Sequence, residues 1–189
     1  MLIDKLGDRY EIARASIKKW TVGTPIQGPL DALEIMLKKR PFEADQVKEV
    51  VVRMSPGSVV DNREMPDVCI QHMLAVMMID KTATFGSAHD KPRMQDPGVL
   101  RQRAKVRLDP GAEKLVVITL NDGTRMGEDA SVVLGTAGNP MSRDQVISKC
   151  RELMVPVLGT SATAKLIERT LDLENVRSIR ELRSLLQRA

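Results

Sequence analysis

Apolar residues follow two different spacings in the first half of the chain, and each spacing predicts a type of element. A helical spacing begins at Gly28, with a proline in the tolerated first turn, and ends before Pro41. The β-branched run Val47–Met54 predicts a strand. Residues 68–79 are apolar on every side of a helix, which indicates that this helix is covered on more than one face.

In the second half of the chain, apolar and polar residues first alternate with a period of two, and a helical spacing then returns. Strands are predicted at 104–108, 115–120 and 126–134, joined into a meander by turns at 109–111 and 121–123. Helices are predicted at 142–156, where Ser142 and Gln145 make a capping box, and at about 161–172 and 176–187.

The order of these elements predicts an α+β fold. We expect a two-layer sandwich of a mostly antiparallel sheet with helices on one face, followed by a helical C-terminal tail. The chain divides into a helical lead-in with a lysine-containing turn at 1–27, an α+β domain at 28–156 and the helical tail at 157–189.

Composition narrows the classes of function. Hydrophobic residues make up 42% of the 189 residues and charged residues 29%, which predicts a packed globular chain. The net charge is +4, but the 29 basic residues are mixed with 25 acidic ones. Aromatic residues reach only 2%, so no stacking platform accompanies the positive charge, and we expect no nucleic-acid partner. The positive charge suits a small anionic substrate better.

Cysteine usage and the N-terminus indicate the compartment. Cys69 and Cys150 lie far apart without the spacing of a zinc site or a disulfide framework, so free thiols are expected. The N-terminus lacks an apolar signal core, and no run reaches the roughly 18 apolar residues that would span a bilayer. We therefore expect a cytoplasmic protein without a membrane partner.

His72 is the histidine that lies inside the apolar helix. A lone histidine in that setting is most often a satisfied core residue. Alternatively it faces a cleft and transfers protons, since an imidazole titrates near neutral pH. Cys69 lies three residues before it, but a cysteine in a helix without oxyanion donors makes a poor nucleophile.

Lys18 and Lys19 precede Trp20 where a predicted helix gives way to a turn rich in glycine and proline. They can be basic residues that complement the end of the helix. They can also be carboxylate-binding cations, because backbone nests in such turns favour anions.

Three segments in register over most of the chain resemble the second half of the MmgE/PrpD family, which includes 2-methylcitrate dehydratases. The first is Ser16–Trp20 followed by a turn and Leu30–Leu33, the second is Val68–His72 with its apolar run, and the third comprises Asn121–Thr124, Gly138–Ser142 and Lys149-Cys150. Met1 then falls in the middle of a typical family chain, and we expect the larger helical domain of the family to be missing here.

The resemblance implies a lid-type domain over a cleft and chemistry without metal or organic cofactor. Family substrates are small polycarboxylates, which lose a proton next to a carboxylate and then water or carbon dioxide, or are reprotonated. By position, Lys18 and His72 would be catalytic, with His72 in place of a family tyrosine. Lys19 and Gln27 would bind substrate, with Gln27 in place of a family histidine. We expect Lys18 and His72 to face one common cleft.

Two hypotheses follow for the function. The chain is the lid domain of a cofactor-independent lyase or isomerase, whose isolated form is inactive because it lacks the helical domain. Alternatively it is a catalytically silent module that dimerises or caps a partner. In both cases we expect a homo-oligomer, or a complex with the helical domain or a second subunit.

Overall fold

The computed structural model of the protein describes residues 7, 8, 10–55 and 59–187. They form two compact units, which meet between Pro140 and Met141 along the chain. The helices and strands of the first unit are α1 (Thr24–Lys39), β1 (Val47–Met54), α2 (Ile70–Asp80), α3 (Phe85–His89), α4 (Pro97–Arg103), β2 (Val106–Pro110), β3 (Leu115–Leu120) and β4 (Arg125–Asp129). The second unit contains α5 (Arg143–Leu171) and a 3-10 helix at Ile179–Leu186. The predicted division at 27 and 156 stays a prediction beside this observed boundary.

The lead-in to the first unit is less helical than its sequence indicates. The helical lead-in predicted at 1–27 lies partly outside the described residues, and ahead of α1 its described helical part is a 3-10 turn at Glu11–Arg14. The helix predicted from Gly28 begins earlier, at Thr24. The reason is Pro25, which occupies the first turn, where a missing N–H has no cost.

The four strands form one mixed sheet in the order β2-β1-β3-β4. Strand β1 pairs in parallel with β2, whereas the β1/β3 and β3/β4 pairs are antiparallel. The α+β class and the mostly antiparallel sheet are therefore confirmed. The predicted three-stranded meander is wrong, because β1 inserts between β2 and β3. Only β3 and β4 form the hairpin, with its turn at Gly123 in the left-handed region (φ 85°).

One face of the sheet builds the main core with α1 and α2. Val50 and Val52 of β1 and Ile118 of β3 point to this face and are fully buried. The opposite face carries ion pairs, since Arg107 lies 2.6 Å from Glu49, and the two belong to neighbouring strands. Helices α1 and α2 thus lie on the same face of the sheet, opposite the face that carries this ion pair.

Helix α2 is covered on more than one side, as its apolar sequence indicates. Nine consecutive residues, from Ile70 to Met78, are buried. Met73 and Met77 face the main core, whereas Ala75 and Val76 pack against Val99 of α4. His72 precedes Ala75 by three residues and Val76 by four, so it lies on the face of α2 that is turned to α4.

The second unit is a long helical segment with a break. The predicted capping box is confirmed, since Gln145 donates its N–H to Ser142 Oγ at 3.2 Å and the reverse contact is also made. The helix does not stop at Pro156 but breaks at Gly159, whose φ of 77° only glycine adopts readily. Leu158 and Leu166 then pack with Leu182 from the last 3-10 helix. Of the described helices, none has the length and apolar character that a membrane crossing requires.

Candidate functional site

The turn between Lys18 and Val22 lies just ahead of α1 and is held by Gln27. This glutamine is 2% exposed. Its Oε1 accepts the Trp20 N–H at 3.1 Å, and its Nε2 donates to the carbonyls of Trp20 at 2.8 Å and Val22 at 3.1 Å. The oxygen and both amide hydrogens of Gln27 are therefore used by the backbone of the turn.

Asp31, one helical turn after Gln27, binds two different parts of the chain. Its Oδ1 accepts the Trp20 indole N–H at 2.9 Å, and its Oδ2 accepts the Leu134 N–H at 2.9 Å. Burial raises the pKa of the Asp31 carboxyl above its ordinary value, while these two hydrogen bonds and Lys19 oppose the rise. The carboxylate thus joins the turn at Trp20 to the loop after β4.

Lys19 is engaged within the protein. Its ammonium lies 2.5 Å from Glu34 and 4.0 Å from Asp31, and it stands 4.2 Å above the Trp20 ring. Partial burial would raise the pKa of Glu34, but contacts with Lys19 and Lys38 hold it below the ordinary value. A substrate-binding role for Lys19 stays a prediction, although its charge is already balanced by carboxylates.

Lys18 is the exposed cation of the turn. Its Nζ donates to the Val22 carbonyl at 3.2 Å, and the residue is exposed. Lys18 makes no ion pair with any residue in the described part of the chain. An ammonium that is fixed by one backbone contact, and still has two free donors, is suited to bind an anion.

The N-terminal ends of α1 and α2 lie next to this turn. Gly23, which precedes α1, donates its N–H to the Asp67 carbonyl at 2.8 Å. Asp67 is two residues ahead of Cys69, the cap of α2. A side chain at Gly23 would lie 3.6 Å from the Val68 side chain, which confirms how closely the two segments approach. Helix N-termini carry partial positive charge, but α2 begins with buried residues from Cys69 to His72, whereas α1 begins at the exposed Thr24, so of these two ends only that of α1 is open to solvent.

His72 lies in the first turn of α2 but is enclosed. The side chain is 0% exposed, and neither ring nitrogen has a hydrogen-bond partner among the described residues. Burial, together with the charges of Arg103 and Arg93, lowers the pKa of His72 to about 4, against a weaker opposing effect of Asp90. The imidazole is therefore neutral at physiological pH.

The sequence expectations for the site are met in part. The structure brings Lys18, Lys19 and Gln27 together around Trp20. His72 faces no cleft, because its ring has no exposed surface, so the common cleft expected for Lys18 and His72 is not formed by the described residues. The catalytic roles of these two residues, and the substrate-binding role of Gln27, stay predictions.

A cavity of about 460 Å³ is lined in part by Thr24, Pro25, Gly28 and Pro29 from the first turns of α1. Its cationic lining residues are Arg53 and Lys114, and neither Lys18 nor His72 belongs to the lining. Arg53 already lies 3.3 Å from both Asp109 and Glu113. Lys114 has no acidic residue beside it among the described residues of this lining, so the cavity, like the turn at Lys18, carries positive charge.

Sequence reasoning missed Asp31 and Trp20 as members of the site. Both were seen as part of a motif, but nothing local shows that an aspartate inside a helix turns inward to an indole. A usable signal was the i, i+4 spacing of two polar residues, Gln27 and Asp31, on the apolar face of α1.

Within the described residues, no group of three or more His, Cys, Asp or Glu side chains could hold a metal ion.

Comparison with known proteins agrees with the resemblance found in the sequence. The family model of the MmgE/PrpD C-terminal domain matches residues 20–174 of the 189-residue chain. The matched range includes Trp20, Gln27 and Asp31 and covers the whole sheet, so it confirms the resemblance and its restriction to the carboxy-terminal domain. No curated protein matches the chain closely enough to add a relative.

Proposed function

Since the chain belongs to the MmgE/PrpD family, we propose that it is the carboxy-terminal, lid-type domain of a cofactor-independent lyase or isomerase. The substrates would be small polycarboxylates, and the reaction a dehydration, a decarboxylation or an epimerisation that begins with proton removal next to a carboxylate. The observation that carries the proposal is the exposed Lys18 in the turn ahead of α1, two residues before the range that matches the family.

The chemistry explains why a fixed cation matters. Removing a proton next to a carboxylate increases the negative charge on that carboxylate in the transition state. A cation held in place stabilises this charge more than it stabilises the ground state, and so lowers the barrier. Lys18 is held by the Val22 carbonyl at 3.2 Å and fits this role.

His72 fits the reaction less well than Lys18. A proton-transferring group has to reach the substrate within hydrogen-bond distance, and the ring of His72 is enclosed. Its burial supports the interpretation as a neutral core residue between α2 and α4. The proton would then be moved by groups outside these residues, in a helical domain that belongs to the same or to another polypeptide.

Binding of tricarballylate, followed by nuclear magnetic resonance, tests the proposal without requiring turnover. The amide signals of Val22 and Gly23 should shift on addition of the ligand. Lys18→Met should weaken binding about tenfold, the effect of one charge-assisted hydrogen bond. Lys48→Met removes the same charge from an exposed strand position and is the matched control. Equal affinity of the two variants, or no binding by the wild type, would contradict the proposal.

The same proposal predicts that turnover needs a second domain. The purified chain should not convert cis-aconitate, 2-methylcitrate or iminodisuccinate at a measurable rate, because its two predicted catalytic residues are one exposed lysine and one enclosed histidine, and the reaction needs two proton transfers. Robust turnover by this chain would show that its own residues complete the site.

The alternative function, a module that associates with a partner, is favoured by the apolar surface of the second unit. Ile179 and Leu186 are 66% and 61% exposed. Exposed apolar patches mark interfaces, so light scattering should show association that Ile179→Asp weakens. Ser184→Asp, in the same 3-10 helix, is the control. A monomer at high concentration would exclude self-association.

A further inference from the structure

Helix α1 directs two polar side chains into the interior, and both hold the turn that carries Lys18. Gln27 and Asp31 are one helical turn apart, and each has less than a tenth of its surface exposed. Gln27 binds only the turn, through the backbone of Trp20 and Val22. Asp31 differs because its two oxygens bind segments that are 114 residues apart in sequence, Trp20 and Leu134.

The loop after β4 is fixed at more than one point. Ile17 donates its N–H to the Gly135 carbonyl at 2.7 Å, so the segment ahead of Lys18 also contacts this loop. At the start of the loop, the Ala130 carbonyl lies directly against α1, where a Cβ on Gly28 would come within 2.0 Å of it. The loop therefore contacts both α1 and the segment ahead of Lys18, and Asp31 binds the loop and the turn at once.

A buried carboxylate is an expensive way to stabilise a core. Its desolvation often cancels the gain from its partners, and apolar residues of similar size do as well. Lys19 lies 4.0 Å away, at the limit of an ion pair, and is closer to Glu34. What an apolar residue could not do is accept two N–H groups, from two segments, in fixed directions. The buried Asp31 therefore serves to fix the relative positions of two segments more than to stabilise the core.

We propose that Asp31 is a positioning residue, which sets the location of Lys18 by holding Trp20 and the loop at Leu134 together. The carboxylate-binding part of this inference rests on the proposed function, but the coupling of the two segments does not. A ligand bound at Lys18 would move the Trp20 indole, and through Asp31 the change would reach the Leu134 amide.

Asp31→Asn is the sharpest variant, because it keeps the shape and removes one acceptor. The side-chain amide can accept from Trp20 or from Leu134, but its NH₂ group then faces the other N–H. The matched control is Glu34→Gln, which makes the same change of charge one turn later and leaves the hydrogen bonds of the Trp20 indole and the Leu134 amide to Asp31 in place. The chain has one tryptophan, so its indole N–H gives a single resonance.

Hydrogen exchange and the chemical shifts of these two N–H groups form the test. In Asp31→Asn, exchange at the Trp20 indole and at the Leu134 amide should accelerate together, about tenfold or more, whereas Glu34→Gln should leave both near the wild-type rate. Tricarballylate should shift the Leu134 amide in the wild type. In Asp31→Asn the shift should be lost, and affinity should fall about tenfold while Lys18 is intact.

The outcomes separate the two proposals. If exchange at both groups accelerates but the wild type binds no tricarballylate, the coupling holds and the proposed function fails. Unchanged exchange at Leu134 in Asp31→Asn overturns the coupling, and equal affinity of Asp31→Asn and the wild type overturns the positioning role. Should Asp31→Asn not fold, Trp20→Phe removes the indole donor together with part of the buried ring. Faster exchange at Leu134 is then the expected result, and unchanged exchange there overturns the coupling.

Discussion

Gln27 and Trp20 are joined by two hydrogen bonds that use both ends of the glutamine amide: Oε1 accepts the Trp20 N–H at 3.1 Å, and Nε2 donates to the Trp20 carbonyl at 2.8 Å. The side-chain amide thus pairs with the backbone N–H and carbonyl of Trp20 as the backbone of a neighbouring strand would. It also occupies the position where a family histidine is expected from the resemblance. In this chain the amide of Gln27 holds the turn that carries Lys18.

Gln27→Glu should destabilise the first unit by about 3 kcal/mol at pH 7, because two carbonyls lose their donors and a buried charge is created. Urea unfolding followed by Trp20 fluorescence measures the loss. Gln95→Glu introduces the same charge at an exposed position and should change stability by less than about 0.5 kcal/mol. Similar losses in the two variants would show that the amide contacts contribute little.

The strand β1 could be predicted to its last residue, whereas its neighbours could not. The run Val47–Met54 has a local signal, since β-branched residues favour a pleated and half-buried surface. The pairing of β2 with β1 depends on contacts more than fifty residues apart, such as Val50 with Val106. A turn signal near Pro110 shows that the chain bends but not which strand comes to lie beside it.

The end of β4 shows a second limit of sequence reasoning. Alternation predicts a strand to Leu134, but the strand ends at Asp129. Beyond it, Ala130 lies against α1 and the Leu134 N–H is taken by Asp31. These contacts come from an element about a hundred residues earlier and override the local alternation. The candidate site has the same character, since the resemblance assigns Lys18 and Gln27 to it but not the buried Asp31.

His72 predicts a dependence of stability on pH. Its folded pKa of about 4 lies below the ordinary value of 6.5, so protonation favours the unfolded state. The stability associated with the neutral ring is present above pH 6.5 and is lost as the pH falls towards 4. Between pH 7 and pH 5 the free energy of unfolding should drop by about 2 kcal/mol.

His72→Leu tests this assignment. The variant has no group to protonate at that position, so its unfolding free energy should be nearly flat between pH 7 and pH 5. His89→Gln removes the other histidine, which is exposed on α3, and should keep the wild-type slope. A wild type without the slope would mean that the ring finds a partner for its proton, and His72 would regain a place in proton transfer.

Gly28→Ala tests whether the loop after β4 is fixed against α1. A Cβ at residue 28 would lie 2.0 Å from the Ala130 carbonyl oxygen, far inside van der Waals contact, and a backbone oxygen cannot rotate away. Although alanine favours a helix over glycine by about 1 kcal/mol, the clash should dominate and destabilise the unit by more than about 2 kcal/mol. Gly86→Ala, in α3, meets only Thr84 Oγ1 at 3.8 Å and should be neutral or slightly stabilising. Thermal unfolding of the two variants compares the same substitution at a glycine that contacts the loop and at one that does not. A Gly28→Ala protein as stable as Gly86→Ala would show that the loop can move off α1 at little cost in free energy. In that event Leu134 would not stay within reach of Asp31, and the coupling between the loop and Lys18 would fail with it.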